Sequence, residues 1–146
     1  KRLYRMKKIF NEGFTLVELI IVMVLLGILA AVAIPKMGNT IANSEEASED
    51  AVIAALRSAV EVYAMDQVVN NSNKSYPYNP FDEMDKTPSG YSGEKSSGEN
   101  MNEDGEWIFV NYQNTQFSVN HRRNDNSKYS WSYDPSTGEF GDRVAY

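Results

Sequence analysis

Residues 14–34 form an apolar run of 21 residues broken by a single charge, Glu18. Wound as a helix at about 1.5 Å per residue, the run is about 30 Å long, the hydrocarbon thickness of a bilayer. No other feature constrains the fold so strongly. The segment has no polar face to turn to water, so it must lie in lipid or against other apolar helices. A carboxylate at the centre of a spanning helix costs about 2.5–3.5 kcal/mol, whereas one at headgroup depth costs little. Glu18, the fifth residue of the run, is therefore either an interfacial residue or a charge with a task.

Five cations, Lys1, Arg2, Arg5, Lys7 and Lys8, precede the run against a single Glu12. Such a cluster holds its end of a spanning helix in the cytoplasm and sends the chain beyond Pro35 outward. Met6 could be the natural start, with residues 1–5 an extension ahead of it. The 146-residue chain carries a net charge of −6; residues 1–13 contribute +4, so everything from Phe14 onward carries −10. An acidic outer portion argues against nucleic acid as a partner, because phosphate binding rests on clustered Lys and Arg. The chain has no cysteine, which excludes disulfide scaffolds, thiolate zinc sites and thiol catalysis. Without the leader and the apolar run, about 110 residues remain, enough for one small domain.

Three fates of the N-terminus are open. A plain single-pass anchor keeps everything. A secretory signal would be cut after Ala31-Val32-Ala33, a small-x-small site, although Glu18 interrupts what should be an uncharged segment. Cleavage between Gly13 and Phe14 would instead remove the basic leader and leave an amine on Phe14, four residues from Glu18. The stretch "GFTLVE", followed by the apolar run and "AIP", closely resembles the N-terminus of type IV pilins and of the pseudopilins of type II secretion systems. Gly13 stands before the cut, Phe14 becomes the first residue, Glu18 the fifth, and Pro35 the twenty-second. The resemblance covers residues 13–37; beyond them it is one of architecture.

That resemblance implies a prepilin peptidase that cuts after Gly13, N-methylation of Phe14, and an inner-membrane assembly machinery. It implies a subunit held in the inner membrane before assembly and then built into a helical homopolymer. The filament stands at the cell surface for a pilus, used in adhesion, motility or uptake, or in the periplasm for a pseudopilus. In the family, the glutamate at the place of Glu18 pairs with the N-terminal amine of a neighbour, here Phe14. The physics agrees: a free α-amine titrates at about 7.7–8.0, and a cation and an anion in apolar surroundings cost less together than apart. A pair within one chain, between residues four apart on a helix, is the alternative. Many major pilins carry a C-terminal cysteine pair, and major secretion pseudopilins an acidic Gly-rich calcium loop. This chain has neither, so pilus and secretion system both stay open. No cofactor or metal is implied.

The remainder reads as an α+β domain: a long N-terminal helix packed on a C-terminal antiparallel sheet of three to four strands. The expected segments are a leader at 1–13, an apolar helix at 14–35, an amphipathic helix at 36–66, a variable loop at 67–104 and the sheet at 105–146. Gly27 and Pro35 weaken the helix, by roughly 1 and 3 kcal/mol relative to Ala. Met37, Ile41, Val52, Leu56, Ala59 and Tyr63, widened by Ala51, Ala55 and Val62, form its expected apolar stripe. "SEEASED" reads as a solvated acidic face, or as a stem whose charges meet Lys36, Arg57 or a neighbour. Tyr76, Tyr78 and Phe81 are placed to tack the loop down. Phe117 and Val119 alternate with Gln116, Ser118 and Asn120, Tyr129, Trp131 and Tyr133 alternate with Ser130 and Ser132, and Phe140, Val144 and Tyr146 share one parity, as in strands with one buried face, whereas "EWIFVNY" is apolar on both faces, as a central strand is. Asn100, Asn102, Asp104 and Gly105 imitate the start of a calcium loop, but Asn111 stands where a bidentate Glu belongs. His121, the only histidine, shares parity with Phe117 and Val119 and reads as structural. No catalytic motif is present, and the expectation is a non-enzymatic filament subunit. A secreted binding domain released near Ala33 is the distant alternative.

Overall fold

A computed structural model describes residues 13–146. The basic leader expected at 1–13 lies outside the described residues except for Gly13. The chain divides into two units, Lys1–Asn43 and Ser44–Tyr146. One helix, α1 (Leu16–Asn71), supplies all the regular structure described in the first unit and begins the second.

In the first unit every described residue from Gly13 to Ile41 is exposed. α1 runs through both Gly27 and Pro35 without a break. It is long and apolar enough to cross a membrane.

In the second unit α1 faces a sheet of six strands: β1 (Tyr91–Lys95), β2 (Trp107–Tyr112), β3 (Gln116–Arg122), β4 (Lys128–Asp134), β5 (Glu139–Phe140) and β6 (Val144–Ala145). The order is β1-β2-β3-β4, with β5 and β6 both pairing with β4. β2, β3 and β4 form an antiparallel meander with aligned inward residues: Trp107 lies opposite His121, itself opposite Tyr129, and Phe109 opposite Val119, itself opposite Trp131. Period-2 alternation sends these to one face. There Trp107, Phe109, Val119, Trp131 and Tyr133 join Ile53, Leu56 and Val60 of α1, and Phe81, in the core. The opposite face carries a smaller cluster, Met101, Ile108 and Val110. This is why "WIFV" is apolar on both sides.

Three features depart from the expectation. The helix ends at Asn71, not near residue 66; Ser72 takes a left-handed conformation (φ 57°) and its N–H closes on the Val68 carbonyl at 3.0 Å. Val68 and Val69 carry the helix on, and no Pro or Gly follows Asp66 until Pro77. Residues 67–104 are not one loop: they contain the last turn of α1, a 3-10 turn at Pro80–Glu83, and β1. The sheet is accordingly mixed, because β1 pairs parallel to β2. β1, "YSGEK", lacks apolar alternation and has a register shift between Tyr91 and Glu94, where Gly93 sits at φ 94°. It lies at the sheet edge, where backbone pairing to β2 is joined by side-chain contacts of Tyr91 with Asn79 and of Ser92 with Glu106.

The apolar stripe of α1 is also rotated. Ile53, Leu56, Val60 and Ala64 are buried, whereas Val62 is 63% exposed. The loop tacks down largely as expected. Phe81 is buried and stacks on Tyr91 at 4.1 Å, and Tyr78 lies edge-on to Phe109 and Phe117.

Candidate assembly site

The first turn of α1 has its own closure. The Thr15 hydroxyl and backbone N–H both donate to Glu18 Oε2 at 2.8 Å, and the Glu18 N–H donates back to Thr15 Oγ1 at 3.2 Å. This is a reciprocal capping box, in which the residue before the helix and the third residue inside it satisfy each other's backbone donors. "TLVE" has the required spacing, yet the apolar context draws attention to the charge and away from the cap. The carboxylate sits at the positive end of the helix macrodipole, where an anion is favoured. Thr15 is therefore the residue that the sequence reading passed over.

Around this turn nothing is buried. Gly13 and Phe14 precede the helix, and Phe14 is 87% exposed. A Cβ placed on Gly13 or Gly27 would meet no neighbouring atom within 4 Å. A single copy thus gives no steric reason for glycine at position 27. Pro35 supplies no N–H for the Ala31 carbonyl, the fourth residue before it.

The second unit holds a different carboxylate on the same helix. Glu49 belongs to the acidic run read as solvated, but it is fully buried. Arg123, directly after β3, grips it in two places, Nε to Oε1 at 2.7 Å and Nη2 to Oε2 at 2.6 Å. His121 Nδ1 meets Oε1 at 2.8 Å, and Arg143 Nη1 reaches Oε2 at 3.1 Å. Burial pushes the Glu49 pKa up, but the hydrogen bonds and charge of these partners outweigh it and hold the carboxyl down at about 2. The same pairing raises Arg123. Arg123 lies over the Tyr129 ring at 4.0 Å, and Trp107 stacks on His121 at 4.3 Å. Arg143 also contacts Glu46, and Glu45 accepts the Asn124 N–H at 3.1 Å. The acidic run therefore meets cations of the sheet and C-terminal segment, not Lys36 or Arg57. His121 is a structural ligand of this cluster.

The imitation of a calcium loop is organised by protein groups instead. Buried Glu106 accepts the N–H of Asn102 at 2.7 Å and of Glu103 at 3.1 Å, and also takes the Ser92 hydroxyl. Among the described residues no cluster of three or more His, Cys, Asp or Glu is placed to hold a metal ion.

The profile of the family described as a prokaryotic N-terminal methylation motif matches residues 11–34. The chain is 42% identical over 59 residues to the type IV major fimbrial protein FimA of Dichelobacter nodosus, covering 40% of this chain and 38% of that one. It is 45% identical over 51 residues to the type IV narrow pilus major component PilA5 of Thermus thermophilus, covering 35% and 44%. It is also 37% identical over 70 residues to the type II secretion system core protein G of Klebsiella pneumoniae, covering 46% and 44%. The matches span less than half the length of these relatives. No solved structure gives a significant match. The N-terminal segment thus carries a prokaryotic N-terminal methylation motif and is similar to the corresponding segments of type IV pilins and of type II secretion core protein G.

Proposed function

We propose that the chain is a structural subunit of a type IV pilus-like surface filament, built by packing N-terminal helices against one another. One observation carries this reading: the run from Phe14 to Ile34, helical from Leu16, is exposed throughout and carries only one charge. Such a surface is satisfied by lipid or by other copies of itself, and by little else.

The roles follow from the residues. Gly13 and Phe14 lie exposed and outside the helix, where a peptidase has access to the bond between them. Cleavage there exposes the Phe14 amine for N-methylation. Glu18 serves as the registration charge. It rests on the Thr15 cap in a lone subunit, and on assembly it accepts the amine of a neighbour's Phe14. A carboxylate has lone pairs for both kinds of donor. Gly27 and Pro35 supply a weak segment between them that can stretch as helices pack. The subunit passes through the inner membrane, the prepilin peptidase and the assembly machinery before it reaches the filament. No catalysis is required of it.

The similarity to secretion core protein G favours a second reading, a pseudopilin in a periplasmic filament. The two differ in where polymer is found. Intact-mass and N-terminal peptide analysis of material sheared from the cell surface tests the lead. The expected result is a methylated Phe14 terminus in pelletable filaments. A terminus at Ile34 in the soluble fraction overturns both readings in favour of a released domain.

A further inference from the structure

The second unit presents an apolar stripe that the filament-core reading leaves unused. On the outward side of α1, away from the buried Ile53–Leu56–Val60 line, Val62, Met65 and Val69 are 63%, 69% and 80% exposed. They recur at i, i+3 and i+7, one helix face. Beside them runs an open trough of about 940 Å³ bounded by Ala54, Ser58 and Met65 on α1, and by Trp131, Asp142 and Arg143. Large exposed side chains grouped on one face mark a contact surface.

The occupant is indicated by α1 itself. Ile34, Met37 and Ile41 repeat the same i, i+3, i+7 spacing and are likewise exposed. A cation flanks the first stripe, and around the second acidic side chains outnumber cations, Asp50, Glu61, Asp66 and Asp142 against Arg57 and Arg143. Lys36 sits beside the first and has no ionic partner among the described residues. Asp66 sits beside the second and Asp142 on the trough wall, again with no cation paired to either among the described residues. Side chains on one helix meet only three or four positions apart, so these stripes cannot meet within a single α1. Two copies can bring them together.

We propose that the Val62–Met65–Val69 face and its trough receive residues 34–41 of a second copy, with Lys36 set against Asp66 and Asp142. This rests on the filament reading and names a contact between the helix of one subunit and the head of another. The apolar stripes supply the contact and the charges fix its register, since opposite charges across an interface select alignment more than they add affinity.

The absence of native cysteine makes the test direct. The double variant Met37→Cys, Met65→Cys is expressed in the host and mildly oxidised in sheared, pelleted filaments. The expected result is a disulfide ladder of dimers, trimers and longer species, absent from either single variant and from detergent-dispersed subunits. Charge reversal gives a second reading. Lys36→Glu should lower filament yield about three- to fivefold, the scale of an exposed ion pair. Adding Asp66→Lys should restore most of it. Filaments that assemble normally but give no ladder overturn this contact and leave the filament reading intact. A wild-type chain that yields no polymer overturns both. A crosslink from position 65 to a different protein overturns the second-copy assignment.

Discussion

Two glutamates on one helix are handled in opposite ways. Glu49 is sealed in the head, with Arg123, His121 and Arg143 occupying its oxygens. Glu18 is open to its surroundings, and Thr15, its own neighbour three residues back, donates both hydrogen bonds to its Oε2. A buried carboxylate tied to several strands fixes a fold, because losing it strands the cations around it. An exposed carboxylate held only by a local cap keeps lone pairs for an incoming donor. The charged cluster of the head is thus closed within one chain, whereas the N-terminal segment leaves its carboxylate and its apolar surface open.

Removing each carboxylate is the strongest test of that contrast. Glu49→Ala leaves Arg123 buried without its anion and should destabilise the head by about 3–5 kcal/mol. Both tryptophans, Trp107 and Trp131, lie in the head core, so urea unfolding followed by tryptophan fluorescence reports the head alone. Glu18→Ala should leave that transition where it is and abolish pelletable filaments. If Glu18→Ala moves the fluorescence midpoint as far as Glu49→Ala does, the division of labour is wrong.

Acid probes the same cluster next. The Glu49 carboxyl is held at about 2 against an ordinary value of 4.5. A depressed carboxylate contributes its stability above the ordinary value and loses it as pH falls toward the folded-state value. The contribution is therefore full above pH 4.5 and gone near pH 2, and the shift corresponds to about 3 kcal/mol. Urea midpoints of the wild-type chain and of Glu49→Gln should differ at pH 6 and converge as pH falls to 2. A gap that stays constant across that window would mean that ionisation of Glu49 contributes nothing.

How much of this was legible follows from how each interaction is written in the chain. The N-terminal segment is local: its length, its lone charge and its helix are all contiguous, so the sequence displays them. The meander of β2, β3 and β4 is nearly so, because alternation appears within each strand. Glu49 was misread because its partners lie more than seventy residues away, and an acidic run looks the same whether solvated or paired. β1 was missed because "YSGEK" shows no apolar alternation and the side chains it meets, Phe81, Asn79 and Glu106 among them, lie in other segments. Gly138 lies between these cases. "DPSTGE" announces a turn, and Gly138 sits at φ 73° there, but only the fold shows that a Cβ would fall 2.3 Å from Tyr76 Cδ1. Gly138→Ala should therefore destabilise the head by about 2 kcal/mol through backbone strain and the displaced ring. The same fluorescence titration measures it, and filament yield should fall only as far as stability does.

The smallest expected effect is at Thr15, and it tests the open end of the comparison. Thr15→Val keeps the shape of the side chain but removes a hydroxyl that both donates to Glu18 and accepts its N–H. Loss of such a cap costs about 1 kcal/mol. It acts on the first turn only, so the fluorescence midpoint of the head should not move. Amide exchange at Glu18 and Leu19 in detergent-dispersed subunits should quicken by about fivefold, the fold-change that 1 kcal/mol represents. Inside filaments the two chains should exchange alike at these amides, because a neighbour's amine then holds the carboxylate and packing holds the turn. If the difference persists at full size in filaments, Thr15 remains an essential partner of Glu18 after assembly, and the handover from cap to neighbour does not occur.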